Sequence, residues 1–413
     1  LALARYELDE AIELSRRALE LEEDGPTKAA LWRTAGRAHA MQYEGDAFWA
    51  AMQQSLEVCY DRDTCADTYS VLAFQTLMRM GMWKQKPDRD LVWGWIEQAL
   101  GLASPGSKAH ARALIAKALF SDEDEDAALE AVELAERLGD PELRSYAFEA
   151  CSAAALYHRR YEEAWTWAHR RFELVDAIDD PDHLLDMHEG TIPTSVAVGR
   201  LDEARRLAVA AYEHALALSP HHRVHGVSLR LEVEELAGDW EAIRALAGRM
   251  EEAVAENLDT PCARNERSLL VCAVASEVAG DTDDASRLER AAAELGMEGY
   301  DFIFEPPRLR LAMLRGNLDQ VGELVDMPPS HTLSFGLAAF AARLDALAAL
   351  ADRARVEVEA PPLAQPGSYL EPFALRALAV VREDEELLRR AQERFEALGL
   401  DWHAAQTAAL VAQ

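Results

Sequence analysis

Residues 135–150 read AERLGDPELRSYAFEA, with the tripeptide Gly139-Asp140-Pro141 at their centre. Glycine tolerates the left-handed conformation that follows a helix end, aspartate accepts the free amide hydrogens of the next helix, and proline suits the first helical position. The stretch therefore predicts one helix ending and another beginning, with almost no loop between them.

The junction of a cap residue and a proline recurs along the chain, at Gly25-Pro26, Ser104-Pro105, Asp140-Pro141, Asp180-Pro181, Ser219-Pro220 and Thr260-Pro261. The last five of these prolines follow one another at intervals of 36 to 41 residues. Asp63-Thr64-Cys65 lies midway between the first two junctions and predicts a cap without proline. A period of this length is typical of stacked helical hairpins, because one hairpin cannot bury its apolar face alone.

A second signal lies between the junctions, where a short turn and acidic residues lead into a helix-forming run. It reads RRYEEAWTWA from Arg159, GRLDEARRLA from Gly199, GDWEAIRALA from Gly238, GDTDDASRLE from Gly280 and GNLDQVGELV from Gly316. Each period therefore predicts two amphipathic helices joined by a tight turn.

These patterns predict an all-α fold. Half of the residues are hydrophobic, and runs of alternating β-branched residues are nearly absent. We expect a right-handed α-α superhelix, a TPR-like solenoid of about ten hairpins that grows along one axis. Residues 1–299 are predicted to form regular hairpins, 300–368 less regular ones interrupted by prolines, and 369–413 capping helices. Pro306-Pro307 stands where a junction is due. Since Leu1 begins in mid-pattern, we expect a piece of a longer protein.

The composition excludes several kinds of partner. The net charge of −32 disfavours nucleic acid and anionic lipid, because polyanion binders gain affinity by releasing counterions. It fits a protein partner with basic patches, or simply a well-solvated helical surface. No apolar run of eighteen residues or signal peptide is present, so we expect a cytoplasmic protein. The five cysteines favour buried free thiols, although Cys59 and Cys65 flank one junction and could meet.

Motifs of catalysis and cofactor binding are incomplete. Residues 101–110, GLASPGSKAH, place Ser before Lys, the reverse of the phosphate-binding order, and fit a helix junction better. The acids of Asp122–Glu133 are spaced like a calcium loop, but Ala127 replaces the required glycine. His221 and His225 are one helical turn apart, without a visible third ligand, which favours cap and packing roles for these residues and for His222. We therefore predict no catalytic, cofactor or metal site, and no enzyme activity of this chain.

One basic and aromatic cluster is a candidate partner-binding site. It comprises Trp83, Lys84, Lys86, Arg89, Trp93 and Trp95. Aromatic anchors beside positive charges are typical of interface hot spots, whereas the alternative is that the tryptophans fill the core of their own hairpin. A second candidate is an aromatic wall for a small molecule, formed by Tyr300, Phe302 and Phe304. The alternative there is packing against a neighbouring repeat.

The hairpins resemble tetratricopeptide repeats, with a period longer than the 34 residues usual in that class. More narrowly, several stretches resemble the C-terminal repeat region of multidomain bacterial signalling proteins with a class III adenylate/guanylate cyclase domain and a signal-transduction ATPase module. These stretches are SLEVCYDRDTCADTYS (55–70), PHHRVHGVSLRLEVEELAGDW (220–240), TPCARNERSLLVCA (260–273), PGSYLEPFALRALA (366–379) and RFEALGLDWHAAQTAAL (394–410). Similar tails occur in transcription regulators of the maltose-activator type.

The resemblance implies a non-catalytic regulatory domain. In such parents the repeat tail senses a partner or ligand and restrains the ATPase and cyclase domains, neither of which is in these residues. We therefore expect a protein or peptide to bind in the concave groove. The alternative is a small-molecule-sensing repeat domain of a transcription regulator.

Overall fold

The computed structural model describes residues 2–121, 124–258, 260, 262–327 and 335–411. The first ten helices are α1 Leu8–Leu21, α2 Gly25–Met41, α3 Gly45–Val58, α4 Arg62–Met78, α5 Arg89–Leu102, α6 Lys108–Phe120, α7 Glu125–Leu138, α8 Pro141–Tyr157, α9 Tyr161–Phe172 and α10 Pro181–Ala197. The others are α11 Leu201–Ala215, α12 Pro220–Ala237, α13 Trp240–Glu256, α14 Ala263–Val278, α15 Thr282–Glu294, α16 Asp301–Leu314, α17 Leu318–Val325, α18 Gly336–Ala349, α19 Arg353–Glu359, α20 Glu371–Arg382, α21 Glu385–Ala397 and α22 Asp401–Val411.

The described residues contain no β-strand, which confirms the all-α fold. In the described part of the chain, nine even-numbered helices pack on the odd-numbered helices that follow them, and these hairpins confirm the repeat pattern: α2–α3, α4–α5, α6–α7, α8–α9, α12–α13, α14–α15, α16–α17, α18–α19 and α20–α21. The chain divides into two compact units. Unit 1 is Leu1–Met187 with Asp259–Cys262, and unit 2 is His188–Leu258 with Ala263–Gln413. The division by repeat regularity at residues 299 and 368 stays a prediction. No described helix is long and apolar enough to cross a membrane.

The tight turns inside the hairpins lie where the second sequence signal predicts them. Helices α9, α11, α13, α15 and α17 each begin two residues after a residue with positive φ. These residues are Arg159, Gly199, Gly238, Gly280 and Gly316. Glycine adopts this left-handed conformation at no steric cost, so its recurrence at four of the five turns is explained by the backbone.

The junctions between hairpins use the predicted cap chemistry, but some caps are displaced along the chain. Asp140 accepts a hydrogen bond from the amide of Leu143, and Pro141 is the first residue of α8. Three predicted caps were wrong by one to three residues: the observed caps are Asp24, Asp61 and Ser107, rather than Gly25, Asp63 and Ser104. In each case the observed cap places its side-chain oxygen against the amide three residues later, which Gly25 lacks the side chain to do.

The predicted junction at Pro306-Pro307 was wrong, because both prolines lie inside α16. The fixed φ of proline is compatible with a helix, although each proline removes one amide donor from the helical ladder and its ring crowds the carbonyl four residues earlier. Two partner helices in this region are short: α17 has 8 residues and α19 has 7. The proline-rich stretch 328–334, together with Pro261 of one predicted junction, lies outside the described residues.

Two of the five cysteines are paired, so the expectation of five free thiols was wrong. Cys59 and Cys65 form a disulfide across the α3–α4 junction, with their Cα atoms 5.3 Å apart. Cys59 follows the last residue of α3 and Cys65 lies in the first turn of α4, and the short junction brings them together. Cys151, Cys262 and Cys272 are free and buried, as expected.

The even-numbered helices form the inner layer of each unit. In unit 2, α12, α14, α16, α18 and α20 pack on one another in order. In α14 every residue from Ala263 to Ser276 is buried, including Arg264, Glu266 and Arg267. Charged side chains on a helix that is covered on all sides need partners from the neighbouring inner helices. These inner helices therefore hold the candidate site.

Candidate functional site

The predicted basic and aromatic cluster of unit 1 is not one exposed surface. Trp83 and Trp95 are buried, with 8% and 6% of their surface exposed, whereas Lys84 and Lys86 are exposed. The ring of Trp95 lies 5.3 Å from that of Trp49, and both belong to the packing of the α3–α5 region.

The remaining members of the cluster pack on one phenylalanine. The ring of Trp93 lies 5.3 Å from that of Phe120. The guanidinium of Arg89 lies 4.1 Å from the same ring and donates a hydrogen bond to the Phe120 carbonyl. Trp83 and Trp95 thus fill the core, Trp93 is half-buried, and the basic side chains face solvent.

The histidines near Pro220 have cap and packing partners in unit 2. His222 Nδ1 lies 2.7 Å from the Ser219 hydroxyl, and His225 Nδ1 lies 2.5 Å from a carboxylate oxygen of Glu189. The rings of His221 and His225 are 4.5 Å apart.

The other sequence candidates are also part of helix ends or of the core. Tyr300 and Phe304 are buried, and Phe302 is half-buried, which is the packing alternative rather than an open aromatic wall. In the acidic stretch, Asp122 and Glu123 lie outside the described residues, and Asp124 accepts a hydrogen bond from the amide of Ala127 as the cap of α7. Ser107 caps α6, so residues 101–110 form a helix junction.

Unit 2 carries a chain of buried ion pairs between its inner helices. Arg267 of α14 donates to Glu235 of α12 over 2.6 Å, and both side chains are almost fully buried. Arg264 lies 3.3 Å from Glu189 and 3.3 Å from Glu232. Burial raises the pKa of Glu232, and the nearby arginines oppose that shift. The inner helices are therefore held by polar pairing as well as by apolar packing.

An inner cavity of about 310 Å³ lies further along the same helices. Its lining comes from five consecutive even-numbered helices, α14 to α22, and from the start of α13. The aliphatic lining residues are Val274, Met313, Leu314, Ala348, Ala349, Val380 and Leu410. The aromatic ones are Trp240 and Trp402, and the polar ones are Arg310, Asp345, Arg376 and Gln406. Neither this cavity nor its residues were identified from the sequence.

The buried end of the inner cavity is polar. Asp345 accepts a hydrogen bond from Arg376 over 2.6 Å, and Arg376 also donates to the carbonyl of His403 and the hydroxyl of Thr407. Arg310 lies 4.0 Å from Asp345 and 5.8 Å from the centre of the Trp240 ring. Two arginines thus share one carboxylate, which leaves an excess positive charge at the cavity floor.

Arg310 and Trp240 have unused hydrogen-bonding capacity. Arg310 is 5% exposed and makes no hydrogen bond to any described residue. The indole Nε1 of the buried Trp240 has no hydrogen-bond partner among the described residues either. Buried donors are normally paired, and each unpaired one costs stability. The Nε1 atom of Trp240 is itself inaccessible, so the cavity floor offers the guanidinium of Arg310 to a ligand.

The C-terminal helices close the inner cavity. The Trp402 ring contacts the Trp240 ring edge to face, and His403 is buried between Phe373 and Phe395. Burial lowers the pKa of His403 well below its usual range, and Arg310 and Arg376 lower it further, so the imidazole is neutral. Because His403 is neutral, Arg310 and Arg376 alone carry the positive charge at the floor of the cavity.

Comparison of the chain with known proteins supports the helical-repeat fold. No protein-family model matches the chain, and no curated protein matches its sequence. Among solved structures, the chain is similar to the crystal structure of a Rap protein complexed with competence and sporulation factor. The TM-score is 0.55 at 13% sequence identity, over 89% of this chain and 99% of that one. At this identity the likeness shows the fold, and the chain has a TPR-like helical-repeat fold.

Proposed function

We propose that the chain is a protein-interaction helical repeat whose inner cavity in unit 2 receives a segment of a peptide or protein partner. The observation that carries this proposal is the cavity itself, since five consecutive inner helices supply its lining. Concave, mostly apolar sites with a few convergent polar groups are typical of binding sites. The cavity combines that apolar lining with a guanidinium, that of Arg310, which makes no hydrogen bond to the described residues.

Two further observations support a peptide or protein partner. The similar Rap structure is complexed with competence and sporulation factor, although one fold hosts many functions. The net charge of −32 favours a neutral or basic partner, because a strongly acidic partner would be repelled. In unit 1, Lys84, Lys86 and Arg89 form a second proposed contact region, with the half-buried Trp93 beside them. Trp83 and Trp95 support that region from the core.

In its finer form, the proposal makes the chain the non-catalytic sensory tail of a bacterial cyclase–ATPase signalling protein, located in the cytoplasm. Partner binding would then act on the ATPase and cyclase domains of the parent. The second candidate is a small-molecule-sensing domain of a maltose-activator-type regulator. The size of the cavity favours this candidate, since about 310 Å³ is near the lower end of small-molecule sites, roughly 300–1,000 Å³.

A peptide library with free C-termini tests the proposal. The immobilised full chain is used for selection, and an Ala349→Trp variant fills the cavity from a solvent-exposed position on its lining. Ala210→Trp makes the same change on the exposed surface of α11 and is the control. We expect peptides that bind the wild type and Ala210→Trp but not Ala349→Trp. Enrichment that is equal on all three proteins, or absent, contradicts the proposal.

A further inference from the structure

We infer that the inner cavity binds the free C-terminal end of a peptide, with the terminal carboxylate at Arg310 and the last, apolar side chain among the aliphatic walls. This inference rests on the proposed function, because it names the chemistry of the partner at the same site.

The polar groups of the floor favour one carboxylate. Arg376 already donates three hydrogen bonds, to Asp345, to the carbonyl of His403 and to the hydroxyl of Thr407. Arg310 reaches Asp345 only over 4.0 Å and without a hydrogen bond. A guanidinium offers two parallel N–H groups that match the two oxygens of a carboxylate.

The aliphatic lining of the cavity determines which chemical group of the ligand can lie next to its carboxylate. Val274, Met313 and Val380 line the same cavity with aliphatic carbon, which favours an apolar group next to the carboxylate. Leu314 and Leu410 also line the cavity, yet 41% and 40% of their surface is exposed. The apolar lining thus continues to the cavity mouth. A ligand that uses both the floor and the mouth extends out of the cavity, as a peptide does.

The charge of the whole chain restricts the rest of the peptide. With a net charge of −32, the protein repels additional acidic residues, while the local excess of positive charge at Arg310 accepts one carboxylate. Electrostatic complementarity of this kind selects partners. The preferred sequence therefore has an apolar last residue, a free carboxylate, and neutral or basic residues before it.

The test compares one selected peptide as the free acid and as the C-terminal amide, by isothermal titration with the full chain. Loss of a charge-assisted hydrogen bond costs about 1.5–3 kcal/mol, which corresponds to a loss of affinity of about 10- to 100-fold. We expect amidation to weaken binding to the wild type by that factor. In Arg310→Gln, acid and amide should bind equally, because the two changes remove the same contact.

Arg308→Gln is the matched control, since Arg308 lies on the same helix but pairs with Glu266 and Asp301 outside the cavity. It should keep the preference for the free acid, and Arg310→Lys should keep part of that preference.

Equal binding of acid and amide by the wild type overturns the carboxylate inference but leaves peptide binding intact. Decanoate that binds the wild type where no library peptide does overturns both, in favour of a small-molecule carboxylate. Selected peptides that do not depend on the cavity overturn the proposed function itself.

Discussion

Trp240 and Trp402 meet edge to face, with their ring centres 5.6 Å apart, although one begins α13 and the other lies in the last helix, α22. Further contacts close unit 2 in the same way. The Tyr369 amide donates to the carbonyl of Ala197 over 3.0 Å. The segment from Tyr369 to the last helix is therefore more than a cap on the preceding repeat, because it also contacts Ala197 and Trp240 of earlier helices in its own unit.

The turn at Gly199 depends on this closure. Its φ is +75°, and a Cβ atom there would lie 2.7 Å from the Leu398 side chain. Gly280 is a matched control, with φ of +80° and open space around its Cβ position. Gly280→Ala should cost about 1 kcal/mol for the left-handed conformation alone. Gly199→Ala should lower the melting temperature further, and equal losses for the two variants would contradict the packing.

Tyr369 provides a second test of the closure. Its buried hydroxyl donates to the carbonyl of Leu236 over 2.8 Å. Tyr369→Phe leaves that carbonyl without its donor and should cost about 1–2 kcal/mol in urea unfolding. Phe373→Leu is the control, because it removes part of a buried ring without removing a hydrogen bond. Its loss of unfolding free energy shows how much packing alone contributes. An unchanged unfolding free energy in Tyr369→Phe would show that the hydrogen bond is not formed.

The buried pair of Arg267 and Glu235 should behave differently in single and double variants. Arg267→Met leaves the Glu235 carboxylate buried and unpaired, so it should destabilise unit 2 by about 3–5 kcal/mol. Arg267→Met with Glu235→Leu replaces both charges by apolar groups and should restore most of that loss. The exposed pair Arg287–Glu251 is the control, and Arg287→Met should cost less than about 1 kcal/mol. A double variant as unstable as the single one would be inconsistent with a buried pair.

Glu305 makes stability depend on pH. The side chain is 1% exposed, and neither carboxylate oxygen has a hydrogen-bond partner among the described residues. Burial raises the pKa of Glu305 to about 7, against an opposing effect of Arg343. Since the unfolded chain ionises near the ordinary pKa of 4.5, the folded state holds the proton more tightly. Stability is therefore lost as the pH rises from about 4.5 through 7.

Glu305→Gln should remove this loss. At pH 8 the variant should be more stable than the wild type by about 3 kcal/mol, and the difference should shrink towards pH 5. Glu294→Gln changes an exposed carboxylate of α15 and is the control. A gain that is the same at both pH values would show that Glu305 does not titrate in this range.

Thiol counting tests the disulfide. The denatured, unreduced chain should show three reactive thiols, and five after reduction. In the folded chain Cys151 and Cys272 should not react, because burial raises the pKa of each thiol to about 12. Five thiols without reductant would contradict the pairing of Cys59 with Cys65.

The sequence predicts the hairpins from short-range signals, but it does not predict the cavity. The left-handed turn at Gly199 and the cap at Asp140 follow from their own residues and close neighbours, so the repeat was predictable. The cavity joins Trp240 to Arg310 and Trp402, whose proximity depends on how successive hairpins stack. The one sequence signal was the presence of Asp345 and Arg376 on helices otherwise rich in Ala and Leu. Such charges on an inner helix indicate a polar interior.

The most direct single test is photo-cross-linking of a bound peptide. A photoreactive benzophenone side chain is placed at position 406, on the exposed lining of the inner cavity. The full chain carrying it is irradiated with a selected free-acid peptide, and the cross-linked product is mapped by mass spectrometry. The same group at position 210 on α11 is the reference. Peptide binding in the cavity predicts cross-links from position 406 and none from position 210. Cross-links from position 210 alone, or from neither position with peptide bound, would show that the partner binds elsewhere.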